Sequence, residues 1–229
     1  MSTRLIEQIT AEGFTADILE YPDGRVEFTA DADIDADGAN GQIGEKAAYM
    51  AGDAGSELLA NGGMGMKNGA VVGVKSWYKD IVICGANGQP RMFPGGLVAS
   101  KTSYVRHVIG SNRAMAADDP SAYIDAETIA YIAIPPIIIA ATKGAVMGCR
   151  TRVTNLANGK VSEGIVADVG PRTKVGEVSI QMARELGLDP SPRSGGVSTQ
   201  TIRYEIWPGV VSPLLTIRVR LRTSAGVYL

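Results

Sequence analysis

Residues 164–180, GIVADVGPRTKVGEVSI, hold two carboxylates in a setting that can do chemistry. Asp168 ends an apolar run and enters a Gly/Pro loop, and Glu177 follows nine residues later. Two carboxyl groups on either side of a glycosidic bond can cleave it. One protonates the leaving oxygen, and the other activates a water or attacks the sugar. Each residue also has a plainer reading. An Asp before Val-Gly-Pro suits a turn, and a Glu in the first turn of a helix is favoured by the helix dipole. The run EVSIQMARELG sets Val178, Met182 and Leu186 on one face of a helix that begins at Glu177 and ends at Gly187. The dipole there would lower the pKa of Glu177, the wrong direction for a general acid. Burial or a neighbouring carboxylate, such as Asp168, must then raise it.

A second acidic group lies upstream, in DADIDADG at 31–38. Its D-x-D-x-D-G opening resembles a calcium loop. The twelfth position is Gly44 where a Glu is needed, Glu45 comes one residue late, and no flanking helix pair is evident. A solvated turn, or an acidic cleft wall that attracts a cation, are the other readings. His107 is the single histidine, so neither a Ser-His-Asp triad nor a zinc site can be assembled around it. A packed or surface position is expected for it. Trp77, Tyr78 and Trp207 could stack on sugars or fill a core; the core is expected for Trp207. NGGMGMKNG (61–69) has neither the strand–loop–helix context nor the Lys-Ser/Thr ending of a phosphate loop.

Composition sets the frame. The chain has 229 residues, which fits one domain or one domain with a decorated N-terminal arm; with 45% hydrophobic and 20% charged residues and 28 glycines, it is expected to be all-β or loop-rich α+β. A net charge of −2 argues against a broad nucleic-acid face. The longest apolar run, IAYIAIPPIIIAA (129–141), is too short for a bilayer span and is broken by Pro135 and Pro136. It reads as two buried strands. Cys84 and Cys149 can form one bridge or stay free. The start, MSTRLIEQIT, lacks the apolar core of a signal peptide.

The elements that must position the carboxylates are mostly strands. Residues 1–30 read as an amphipathic arm and hairpin: Phe14, Ala16 and Ile18 alternate before the turn Pro22, Asp23, Gly24, and Val26 and Phe28 alternate after it. The main domain is expected over 31–229. Within it, 31–70 is loop-rich with a helix near 45–60. Strands are expected at 71–74, 81–84, 97–100, in KTSYVRHVI (101–109), after DAET (125–128), at 144–149, 151–156, 162–168, 204–209 and 215–222. Turns fall at Asn87-Gly88 and Asn158-Gly159. Six or more strands with one helix predict a closed or half-closed β-barrel.

The chain also resembles the chitosanases of glycoside hydrolase family 75. The resemblance rests on DIDADGANG (33–41), KTSYV (101–105), YIDAETIAYIAIPP (123–136), VTNLANGK (153–160), GIVADVGPRTKVGEVSIQMARELGL (164–188), PRSGG (192–196) and YEIWPG (204–209), in that order. It implies a double-psi β-barrel that hydrolyses chitosan, a polycationic β-1,4-glucosamine polymer, with inversion. Asp168 and Glu177 would be its essential carboxylates. Asp35, Asp37, Thr102, Ser103, Tyr104 and Gly170 would line the substrate. Glu177 as acid and Asp168 as base is one assignment; Asp168 as acid, with Asp35 or Asp37 as base, is the other. A monomer without metal or organic cofactor is expected, acting on neither nucleic acid nor membrane. Family members are generally secreted, so the location is left open. Cys149 stands where many relatives carry Asp. A peptidoglycan-cleaving lysozyme-like or lytic transglycosylase-type enzyme, and a non-catalytic carbohydrate-binding barrel, are the alternative functions.

Overall fold

The computed structural model describes residues 2–40, 47–108, 111–142 and 146–215. Its strands are β1 (Arg4–Ala11), β2 (Phe14–Glu20), β3 (Val26–Asp35), β4 (Tyr49–Met50), β5 (Met64–Lys67), β6 (Ala70–Gly73), β7 (Leu97–Val98), β8 (Tyr131–Ile134), β9 (Cys149–Asn155), β10 (Val161–Val169), β11 (Glu177–Ser179) and β12 (Val197–Val211). The helices α1 (Tyr78–Ile81), α2 (Pro136–Ala141) and α3 (Ile180–Leu186) are short. No helix among the described residues is long and apolar enough to cross a membrane.

Six strands close into a barrel in the order β3-β11-β8-β10-β9-β12, with β12 pairing back onto β3. β3 runs parallel to β11, and β8 parallel to β10; the other four junctions are antiparallel. Closure removes the open edges that a six-stranded sheet would otherwise expose. The predicted hairpin at Pro22–Asp23–Gly24 joins β2 to β3, with Ala16, Ile18, Val26 and Phe28 all buried. β1 adds to β2, so the arm is a two-strand extension of the barrel wall, and β3 continues it into the barrel itself. In the core the Phe28 and Tyr204 rings stack at 4.8 Å, and the Tyr204 hydroxyl donates to the Asp31 carbonyl.

Several expected elements differ. The helix expected from Glu177 starts at Ile180. Ser179 is its N-cap, accepting from the Met182 N–H at 3.1 Å, so Glu177 and Val178 remain strand. Gly187 closes the helix in the left-handed conformation, as predicted. The second half of the longest apolar run is α2, not a strand, because Pro136 at the first helical position is pre-set for a helix. No α-helix occupies the described part of 45–60, which holds the two-residue strand β4, one short 3-10 turn and irregular turns and bends. Ile81 ends α1, and residues 82–84 contribute only isolated bridges. Residues 101–108 of the expected strand KTSYVRHVI are irregular apart from a bridge at His107 to Ala114. Asn68-Gly69 turns β5 into β6, a hairpin inside the glycine-rich 61–69 run. Residues 143–145, 216–222 and the Gly44 and Glu45 positions lie outside the described residues, so the calcium-loop ending and the last expected strand do too. No disulfide joins Cys84 and Cys149.

Candidate functional site

Ala133 on β8 is the hinge of the site's geometry. It pairs laterally with Asp168 of β10 on one side and with Glu177 of β11 on the other. The loop at 170–176 therefore folds back so that Asp168 and Glu177 flank one strand. Strand neighbours lie about 4.8 Å apart, so the two backbone positions stand roughly 9.6 Å apart across the sheet. Cross-strand partners share a face of the sheet, so both carboxylates extend on the Ala133 side.

A bulge sets Asp168. The register of β10 on β8 shifts between Val166 and Asp168, leaving Ala167 as the extra residue. Its carbonyl accepts from Tyr104 N–H at 2.9 Å, which lays residues 102–104 along β10. Ser103 then donates to Asp168 Oδ1 from its N–H at 3.0 Å and its hydroxyl at 2.6 Å, and the Val169 N–H adds a third donor at 2.7 Å. Thr102 is buried and structural: its hydroxyl donates to the Tyr104 carbonyl and accepts from Ile124 N–H. A Cβ at Gly170 would lie 2.5 Å from Glu177 Oε2, so any larger residue there would displace that carboxylate. Ser179 locks β11 onto β8, accepting from Tyr131 N–H at 3.0 Å and donating to the Ile129 carbonyl at 2.8 Å.

Asp35 and Asp37 join the same cluster. Asp35 ends β3 and accepts from the Asp37 N–H at 2.7 Å. One carboxylate oxygen from each of Asp35, Asp37 and Asp168 lies within 4.8 Å of the other two. Glu57, unmarked by any motif in the sequence, is a fifth member, buried beside Tyr49 and Asn61. Tyr131 donates to the Asp37 carbonyl at 3.0 Å. Asp35, Asp37, Glu57 and Asp168 are each more than nine-tenths buried, while Glu177 is only partly covered and forms the outer member.

Crowding like charges away from water favours protonation. Burial and then the Asp168 charge raise the Glu177 pKa to about 8. Burial raises Asp168 only to about 6, because the Ser103 and Val169 donors favour its charged form. Burial, followed by the Glu177 charge, holds Asp35 well above the usual carboxylate range; burial and Asp35 do the same to Asp37. Glu57 rises to about 7 by burial, against hydrogen bonds from Tyr49 and Asn61. The dipole argument for Glu177 is thus replaced: it sits in a strand, and its pKa goes up.

The other candidates stand apart. Asp33, the first residue of the D-x-D-x-D-G run, points to Lys174 rather than into the cluster. His107 is exposed. Trp77 is exposed and Tyr78 buried. Trp207, expected in the core, is half-buried with the Arg150 and Arg152 guanidinium groups over its ring, a position on the outside of the barrel wall.

No family model matches the sequence, and no curated protein matches it.

Proposed function

We propose that the protein is an endo-acting glycoside hydrolase that cleaves β-1,4 bonds of a glucosamine polymer by an inverting, two-carboxylate mechanism. The observation that carries this reading is the flanking of Ala133 by Asp168 and Glu177. A backbone separation of about 9.6 Å across three strands is compatible with carboxyl groups about 6.5–9.5 Å apart, the spacing that leaves room for a water. The unequal environments divide the labour. Glu177 stays protonated near neutrality and is the general acid. Asp168, fixed by three donors, is the base that orients and deprotonates the water. Five carboxylates in one cluster would also draw a polycation inward.

The double-psi form of the barrel belongs to the same proposal. The two parallel pairs, β3 with β11 and β8 with β10, within an otherwise antiparallel closure support it.

The test is incubation with highly deacetylated chitosan, followed by proton NMR of the first products. Reducing ends released as the α-anomer are expected. Release of the β-anomer would overturn inversion. No cleavage of chitosan, with anhydro-sugar products from peptidoglycan, would replace this reading by that of a lytic transglycosylase. Tight chitosan binding without any cleavage would make the barrel a carbohydrate-binding module.

A further inference from the structure

We propose that Asp35, Asp37 and Asp168 form a binding site for a hard divalent cation of calcium's size. This does not rest on the hydrolase reading. An inverting hydrolysis needs two carboxylates, and with Glu177 as acid and Asp168 as base, Asp35 and Asp37 take neither role.

Two of the ligands, Asp35 and Asp37, belong to the D-x-D-x-D-G run at the end of β3, and the third comes from the bulged end of β10. The site differs from the calcium-loop reading in that third ligand, which the barrel brings to the run. One oxygen from each lies within 4.8 Å of the others. A Ca2+ ion bound at about 2.3–2.6 Å from its ligands can be shared by oxygens up to roughly 5 Å apart. The donor set is oxygen only, the preference of Ca2+ over softer metals. Asp37 supplies the independent sign of a ligand. It is more than nine-tenths buried, and its Oδ1 has no hydrogen-bond partner among the described residues. Buried polar atoms are nearly always paired, so a lone oxygen among other acceptors calls for a cation. Among the described residues, no lysine or arginine makes an ion pair with any of the three. The hydrogen bonds that do reach the group, from Asp37 N–H, Ser103 and Val169 N–H, orient Asp35 and Asp168 through one oxygen each. The second oxygen of each is the one the ion would take; at Asp168 it is also the oxygen left for the base role, so a bound ion and a water to be activated would compete for it.

Tyr131 makes the test direct, because its hydroxyl lies 3.0 Å from the Asp37 carbonyl. Tb3+, a calcium surrogate, is titrated into chelator-treated full-length protein and its emission excited through tyrosine. A saturable rise at one ion per chain, displaced by Ca2+, is expected. Asp37→Asn and Asp35→Asn should each weaken the apparent affinity at least tenfold, with circular dichroism confirming that both variants fold. An absent or non-saturating signal, or equal affinity in wild type and both variants, would overturn the proposal. So would loss of binding in Asp33→Asn, which would move the ion to the cluster around Glu12. Because the readout is binding, a chain that takes Ca2+ but cleaves no chitosan keeps this site and loses only the hydrolase reading.

Discussion

Two acidic clusters sit at the two ends of one short stretch of β3, and they are handled in opposite ways. At Glu12, Asp31 and Asp33, carboxylates from the β1–β2 turn and β3 surround the Lys174 ammonium. Lys174 donates to Glu12 at 2.8 Å and pairs with Asp33. Burial acts to lower the Lys174 pKa, but the hydrogen bonds to Asp33 and Glu12 outweigh it and hold the ammonium charged; burial still raises Asp31 to about 7, against that charge. At Asp35, Asp37, Glu57, Asp168 and Glu177 no such ammonium is in contact among the described residues, and every member is pushed toward its protonated form. The first cluster therefore ties the arm to the loop between Asp168 and Glu177. The second leaves its carboxylates without a countercharge and so raises their pKa values, the property a reactive or ligand-binding site requires. Like sequence patterns, Asp every second residue, serve both ends; the partner brought by the fold decides which is scaffold and which is site.

Four changes should break or sharpen that contrast. The largest concerns Glu177. Glu177→Gln removes the general acid and should slow chitosan hydrolysis by about 10²–10⁴-fold. It also removes a repelled carboxylate, so the melting temperature at pH 8 should hold or rise. A variant that stays within tenfold of wild-type rate would take Glu177 out of the mechanism.

Lys174→Met should act in the reverse sense. It strips the cation from the first cluster and leaves Asp31, 1% exposed, without its countercharge. Loss of these hydrogen bonds should cost about 2 kcal/mol in urea unfolding. An unchanged unfolding midpoint would mean that the arm is not held this way.

The third prediction is stability against pH. Glu177 titrates near 4.5 when unfolded and near 8 when folded. Between these values the folded state binds more protons, so stability falls as pH rises. Its contribution is fully present below about pH 4.5 and gone above about pH 8; Asp168 adds a narrower fall, from 3.8 to about 6. Melting temperatures across pH 5–9 should therefore decline, and the decline should shrink in Glu177→Gln. A rise over that range would contradict the cluster's electrostatics.

The smallest effect belongs to Ser103→Ala. It deletes a 2.6 Å donor that favours the Asp168 carboxylate. The acid limb of the pH–rate profile should move up by about one unit, the size of one charge-assisted hydrogen bond, with little change at the optimum. An unmoved limb would mean that Asp168 does not report in that profile.

Local chemistry made much of the fold legible. The hairpin at Pro22, the Asn158-Gly159 turn and the Gly187 cap each require a conformation that few residues supply, and the structure has all three. The alternation that reads Phe28 and Val26 inward holds as well. Where the reading failed, a second local signal was outweighed by periodicity. Ser179 is a standard N-cap and would have placed the helix start after Glu177; Pro136 at a first helical position would have marked α2. Of the site, Asp168 and Glu177 stood out by spacing, and Asp35 and Asp37 by density. Glu57 carried no signal, because its place beside Tyr49 and Asp37 arises from tertiary packing alone. The lateral position of Ala133, which brings the two ends of the loop together, is likewise a property of strand order and not of any motif.

The most direct measurement is reducing-end release from highly deacetylated chitosan by wild type beside Asp168→Asn, both checked for folding. The account predicts steady release by wild type and a loss of at least a hundredfold in the variant. Equal release by the two proteins, or none by a folded wild type, would contradict it.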